Sequence, residues 1–314
     1  MVTRYIKKGF KGFDFDPTLK QCFQNKFIAN ATMERDVVRK KMSNDISDQD
    51  VYVTAFVYEH ILATADMLAD ICGVSSKDRN EFEKHLNKLV LYRVLNRFFL
   101  CDDDKNRDFP DDALYIYTLD MGGKYLLEHY WKNNVDLWNS GTAGLCPEKI
   151  TRYLVASEFH VKLLQACPKK LKEFKCRTYR NGRESATLSF EFRLEMQKDN
   201  ETIKRYFIGD VVRVNEDEVE LRDRINFLNT VCGTKAWQRF WPLSSDIPVV
   251  LFVVEDDSKI ENLVTYLRMY KIPKYFITTD ERLREGLNRP VGVWKRFNEE
   301  LIEIEDAKTK VFMD

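Results

Sequence analysis

Residues 115–127 read YIYTLDMGGKYLL, a passage in which strand-like text turns into helix-like text without a connector. Tyr117, Thr118 and Leu119 suit a pleated strand, and the apolar spacing from Met121 to Leu127 suits a helix. Gly122 and Gly123 fall in the first turn of that helix, where a side chain would collide with strands packed directly beneath it. A chain that turns this sharply must bring the helix straight back onto the strand pair it has just left.

The text upstream says what that strand pair belongs to. Residues 98–117, FFLCDDDKNRDFPDDALYIY, set aromatic runs on either side of an aspartate-rich stretch, the pattern of a hairpin with an acidic tip. Before it, Val53, Phe56, Val57, His60 and Ile61 follow helical spacing. Thr64 then caps a short second helix carrying Met67, Leu68 and Ile71, which Gly73 ends. A third helix follows Ser75 and Ser76, with Phe82, Leu86, Leu89 and Val90 as its apolar stripe. The tight break at Gly73 is the turn of a helix-turn-helix, and helix, helix, helix, hairpin, helix is the order of a winged helix domain, expected over 47–132. The plainer alternative is an α/β unit with no nucleic-acid role.

With 314 residues the chain has room for about two domains. Its 50 basic groups balance 50 acidic ones, so attraction to nucleic acid must come from local surplus. Residues 1–41 hold ten Lys/Arg against four Asp/Glu, among Phe10, Phe13, Phe15, Phe23 and Phe27; this basic aromatic arm, 1–46, is expected to dock on its own domain. The hairpin tip, 102–112, has six Asp against Lys105 and Arg107, a charge suited to a solvated or partner-facing tip rather than to a DNA backbone. The seven cysteines are odd in number and scattered without a CxxC pair, which gives little support to zinc or a disulfide framework, and several sit among apolar neighbours and read as reduced core cysteines. The N-terminus has no apolar signal core and no run reaches the ~20 residues of a membrane span, so a cytoplasmic protein without a membrane partner is expected.

Residues 133–148, rich in glycine, read as a linker to a second domain over 149–295, with an acidic tail, 296–314, after it. In that domain a helix from Ile150 leads to a strand near Glu173, strands over 185–197 and 204–213, a helix from Val219, a strand from Ile247, a helix from Ser258 and a strand from Lys274. This order is that of metal-dependent nucleases, which need two carboxylates and a lysine converging on Mg²⁺. Glu191, Glu195 and Asp210 are the candidate carboxylates, but Val212 stands where the lysine belongs and Arg213 comes one position late, so a non-catalytic domain with no cofactor is expected. His60, His85, His129 and His160 lie in helical apolar patterns and read as packing or surface groups, with no metal site. No phosphate-binding loop, nucleophile elbow or HExxH motif is present.

A helix that reads DNA carries amide, ammonium or guanidinium groups opposite its core stripe. The third helix offers Lys77, Arg79, Asn80, Lys84, Asn87 and Lys88, with Arg93 and Arg97 beyond it for phosphate contacts; Asp78, Glu81 and Glu83 dilute the charge, and a plain solvated helix would look similar.

The segments LATADMLADICGVS from Leu62, HLNKLVLYRVLNR from His85, YTLDMGGKYLL from Tyr117, KRYFIGDVVR from Lys204 and PVVLFVVED from Pro248 together resemble the replication-relaxation family of Gram-positive plasmids and integrative elements. The resemblance runs from about Asp50 to Leu287 and implies an α+β protein: an N-terminal winged helix-turn-helix domain followed by a degenerate α/β nuclease-like domain of the PD-(D/E)xK type. It also implies double-stranded DNA binding in plasmid replication or in relaxation and conjugative transfer. The expected partners are double-stranded DNA, a second copy of the chain, and replication or relaxase proteins. The alternatives are a Mg²⁺-dependent nuclease or nickase using Glu191, Glu195 and Asp210, and a docking component of a replication or transfer complex.

Overall fold

A computed structural model describes residues 4–10, 12–28, 31–103, 109–131, 135, 138–176, 188–198, 201–213, 216–233, 237–241, 246–270, 272, 274–287, 291–295 and 301–304. The protein is a mixed α+β chain of two compact units, 1–157 and 158–314. No helix among the described residues is long and apolar enough to cross a membrane.

The first unit runs β1 (Lys20–Phe23), α1 (Glu34–Met42), α2 (Asp48–His60), β2 (Ala63–Thr64), α3 (Ala65–Ile71), α4 (Arg79–Leu91), β3 (Leu95–Cys101), β4 (Ile116–Leu119) and α5 (Met121–Tyr130). Local chemistry sets these limits. Ser47 and Asp50 form a capping box at the start of α2, Thr64 Oγ1 accepts from Met67 N–H at the start of α3, and Gly73 ends α3 with φ +66°. The short β2 pairs with β4, β4 with β3, and β3 with β1, all antiparallel, so the sheet order is β1-β3-β4-β2. Leu86, Leu89 and Val90 of α4 are buried, as are Phe98, Phe99, Tyr117, Leu126 and Leu127.

The glycine junction works as its spacing predicts. A Cβ on Gly123 would stand 2.3 Å from the Val94 carbonyl oxygen, and one on Gly122 would stand 2.7 Å from that of Arg93. Both obstacles are backbone, so α5 can lie this close only with glycine at these two positions.

The basic arm is part of this sheet. Lys20–Phe23 pairs residue by residue with Phe98–Cys101, and farther out Arg4 N–H donates to Asp102 Oδ1, Tyr5 Oη–H donates to Asp112 Oδ1 at 2.5 Å, and Lys7 Nζ lies 2.9 Å from Asp112 Oδ2. The aspartates at the base of the hairpin therefore have the arm as their partner; the tip itself, with Lys105 and Arg107, lies outside the described residues. Cys22 and Cys101 form a disulfide across β1 and β3. The scattered cysteines gave little support to any disulfide: the two are 79 residues apart, and only the docking of β1 on β3 brings them together.

The 133–148 stretch, expected as a linker, is packed in its described part. Gln21 Nε2–H donates to the Ala143 carbonyl and its Oε1 accepts from Leu145 N–H, both at 2.9 Å. Helix α6 (Pro147–Ala166) then starts in the first unit, held there by Thr151 Oγ1–H donating to the Phe13 carbonyl and by Ser157 Oγ–H donating to that of Leu62 at 2.8 Å. The boundary between the units falls inside this helix.

The second unit continues with β5 (Leu171–Lys175), β6 (Phe190–Lys198), β7 (Glu201–Val211), α7 (Glu218–Gly233), a single turn α8 (Trp237–Phe240), β8 (Val249–Val254), α9 (Ser258–Leu267), β9 (Lys274–Thr279), α10 (Asp280–Glu285), β10 (Val291–Lys295) and β11 (Leu301–Ile304). The sheet order is β11-β10-β9-β8-β7-β6-β5, antiparallel from β5 to β7 and parallel from β7 to β9. Residues 301–304, expected within an acidic tail, pair instead with β10. Residues 296–300 and 305–314 of that tail lie outside the described residues. One face of the sheet, with Tyr206, Ile208, Val212, Val250 and Phe252, packs with Ile225, Leu228, Leu263 and Leu267 of α7 and α9. The other carries stacked aromatics: Phe190 lies 4.7 Å from Phe159, and Phe192 lies 4.5 Å from Phe207.

Candidate nucleic-acid interface

Helix α4 is fixed at both ends before it can present anything. His85 Nε2–H donates to Asp50 Oδ1 of α2 at 2.5 Å. Burial alone would raise the Asp50 carboxyl, but His85 and the Ser47 cap outweigh it and hold the group below its ordinary value; the same hydrogen bond raises His85. Arg79 donates to Asp66 Oδ1 at 2.6 Å and to Asp70, tying the first turn of α4 to α3. At the far end Arg93, at φ +61°, makes the turn into β3, with its Nε 3.1 Å from Asp120 Oδ2 and its Nη2–H donating to the Lys26 carbonyl at 2.7 Å.

The eight candidate DNA-binding residues therefore separate into two groups. Lys77, Asn80 and Lys84 are exposed. With Lys88, half-buried, and Leu91, 74% exposed, they form a stripe, since Asn80, Lys84, Lys88 and Leu91 follow i, i+4, i+8, i+11 spacing. Arg79, Asn87, Arg93 and Arg97 are engaged within the unit. Arg97 donates to Asn87 Oδ1 at 2.5 Å and to Gln24 Oε1, and its guanidinium carbon lies 4.0 Å from the Tyr115 ring centroid. Asn87, on the face that spacing gives to Asn80 and Lys84, is thus held by β3 at the C-terminal end of α4. Spacing along one helix could not reveal this, because Arg97 reaches Asn87 only after the turn at Arg93 reverses the chain.

The arm modifies the charge of this helix. Lys8 Nζ donates to both oxygens of Glu83 at 2.8 Å. Arg79 answers Asp66 and Asp70 of α3 in the same way, and Asp78 and Glu81 are the exposed acidic side chains among Lys77, Lys84 and Lys88. At the C-terminal end, Lys40 of α1 places its Nζ 3.8 Å from the Tyr92 ring centroid, and Lys88 places its Nζ 5.4 Å from the same centroid. Lys40 went unread in the sequence, since nothing in the text of α1 points to a ring fifty-two residues on.

The carboxylates of the second unit are placed by the β6–β7 ladder. Glu191 stands opposite Ile208, so Glu191 and Asp210 share a face as diagonal neighbours. Glu195 pairs with Lys204, about 20 Å along the strand from Asp210 at the usual rise, and is bound by Arg193. The three candidates do not converge. Glu191 Oε2 accepts from Trp241 Nε1–H at 2.7 Å, and Lys175 of β5 approaches its Oε1 at 3.7 Å. A lysine thus does reach this face, from a strand where the text gave no reason to look. Asp210, fully buried, accepts from Ser189 Oγ–H at 3.0 Å and from Arg224 Nε–H at 2.8 Å, and Arg224 Nη2 lies 2.6 Å from Glu216 Oε1. Burial alone would lower the Arg224 guanidinium, but Asp210 and Glu216 raise it, so a permanent cation sits against Asp210. Arg213, one position late for a catalytic lysine, pairs with Asp280 at 2.9 Å. Among the described residues no three His, Cys, Asp or Glu side chains gather closely enough to hold a metal ion. No family model, no curated protein and no solved structure matches the chain.

Proposed function

We propose that the chain binds double-stranded DNA, with its first unit acting as a winged helix domain that reads the major groove through α4. The observation that carries this reading is the stripe of exposed Asn80 and Lys84 and half-buried Lys88 on α4, with exposed Lys77 just before it, on a helix whose opposite side is buried through Leu86, Leu89 and Val90. The element order and the β3-β4-β2 strand order support it, because β2 between α2 and α3 closes the small sheet of a winged helix. The second unit is read as a degenerate nuclease-like domain. Its antiparallel β5–β6–β7 followed by parallel β8 supports that reading, and the Arg224 cation against Asp210 supports a non-catalytic role. The cellular role that fits is replication, or relaxation and transfer, of a mobile element, with the chain acting as a homodimer on a repeated site and alongside replication or relaxase proteins.

Gel shifts with duplex DNA across a salt series test this. Affinity should fall linearly with the logarithm of salt, and Asn80→Ala with Lys84→Ala should weaken binding by about tenfold or more. Wild-type protein that leaves duplex unshifted at low salt would overturn the reading. Relaxation or cutting of supercoiled plasmid in Mg²⁺ would overturn the non-catalytic reading of the second unit.

A further inference from the structure

Two ammonium groups from different helices meet at one aromatic ring in the first unit. Lys40 lies near the end of α1 and Lys88 near the end of α4, and Tyr92, which caps α4, holds both. Attraction to the ring orders each side chain. It also brings two like charges to one ring, 3.8 and 5.4 Å from its centroid, so an anion at the edge of the ring is attracted by both. The carboxylate close by is Asp45, 3.9 Å from Lys88 and exposed, too distant for a hydrogen bond. Lys88 also belongs to the exposed stripe of α4, one turn beyond Lys84, so an anionic polymer lying along that stripe passes over the ring.

We propose that Lys40 and Lys88, gathered at Tyr92, seat one phosphodiester group of duplex DNA, so that α1 extends the contact made by α4. The inference rests on the DNA-binding reading and adds a second helix to it. A phosphate seat positions the protein without reading sequence, so its effect is uniform across DNA sequences and dependent on salt. Lys40 is the informative residue, since it lies on α1, outside α4.

Fluorescence anisotropy of a labelled duplex, with full-length protein and salt from about 50 to about 300 mM, tests it. Lys40→Gln should lower affinity about fivefold to tenfold near 100 mM salt, on specific and scrambled duplexes alike, and should reduce the slope against log salt by about one. Lys40→Arg should restore both, because it keeps the charge and the stacking on Tyr92. If the wild type binds, and Lys84→Ala weakens it, but Lys40→Gln leaves the slope unchanged, the phosphate seat is wrong and the DNA-binding reading stands. The seat is equally wrong if Lys40→Gln lowers the melting temperature without moving the slope, since that marks a purely structural contact. If the wild type binds no duplex at any salt, both fall.

Discussion

Two buried ionisable side chains in the first unit oppose each other in their response to acid. His60 is fully buried with Nδ1 2.8 Å from the Phe56 carbonyl, and burial pushes it down to about 4 against that hydrogen bond. The folded chain keeps His60 neutral while the unfolded chain protonates it below its ordinary 6.5, so this stability is complete above pH 6.5 and lost as pH falls to 4. Asp120, 1% exposed, caps α5 by accepting from Met121 N–H at 2.8 Å. Burial pushes its carboxyl up to about 6, against Met121 N–H and Arg93, so the folded chain takes up a proton that the unfolded chain refuses until 3.8. Stability from Asp120 therefore rises as pH falls from 6 to 3.8. Each window spans about two units, worth roughly 3 kcal/mol, and the two nearly cancel in the wild type. Asp120→Asn keeps the cap and removes the gain. Urea unfolding across this range should show the variant losing about 2 kcal/mol relative to wild type between pH 6.5 and 4.5, and a flat difference curve would mean that Asp120 stays ionised when folded.

Among the elements, α5 depends most on a single position. Gly123→Ala places a methyl group against the Val94 carbonyl and the Leu119 side chain, and the carbonyl cannot rotate away because it accepts from Asp120 N–H at 3.1 Å. The variant should be destabilised by about 2–3 kcal/mol in chemical denaturation, even though alanine is the better helix former. A neutral result would show that α5 can shift off β3. This element was legible beforehand, as were α2, α3 and α4, because each carries its own punctuation at Ser47, Thr64, Gly73 or Gly122. β1 was not. Its four residues, KQCF, have no alternation to mark a strand, and its partner lies 79 positions away. The pairings that reorganise the candidate sites, Asn87 with Arg97 and Asp210 with Arg224, were hidden for a similar reason. They join residues 10 and 14 apart, on different elements, where neither helical nor strand periodicity applies.

At the scale of the whole molecule, the division into two units predicts where a change in redox conditions is felt. The Cys22–Cys101 bond closes a loop of about 80 residues that contains α1 to α4, all within the first unit. Its removal by Cys22→Ser or by reductant should cost about 2–4 kcal/mol. Hydrogen exchange should then accelerate in β1, β3 and α1 while β6 to β9 exchange at unchanged rates; equal acceleration in both units would mean that the second depends on the first for its stability. The same strand has an effect on how copies of the chain meet. β1 lies along β3, so the backbone donors and acceptors of β3 are matched within one molecule, and the edge of the sheet on that flank passes to the four residues of β1. On the opposite flank stands β2, two residues long, too short a ledge for a foreign strand. A foreign strand approaching this unit meets edges of four and two residues in place of the seven-residue β3, and edges so short give strand addition, the usual beginning of a fibre, little to build on.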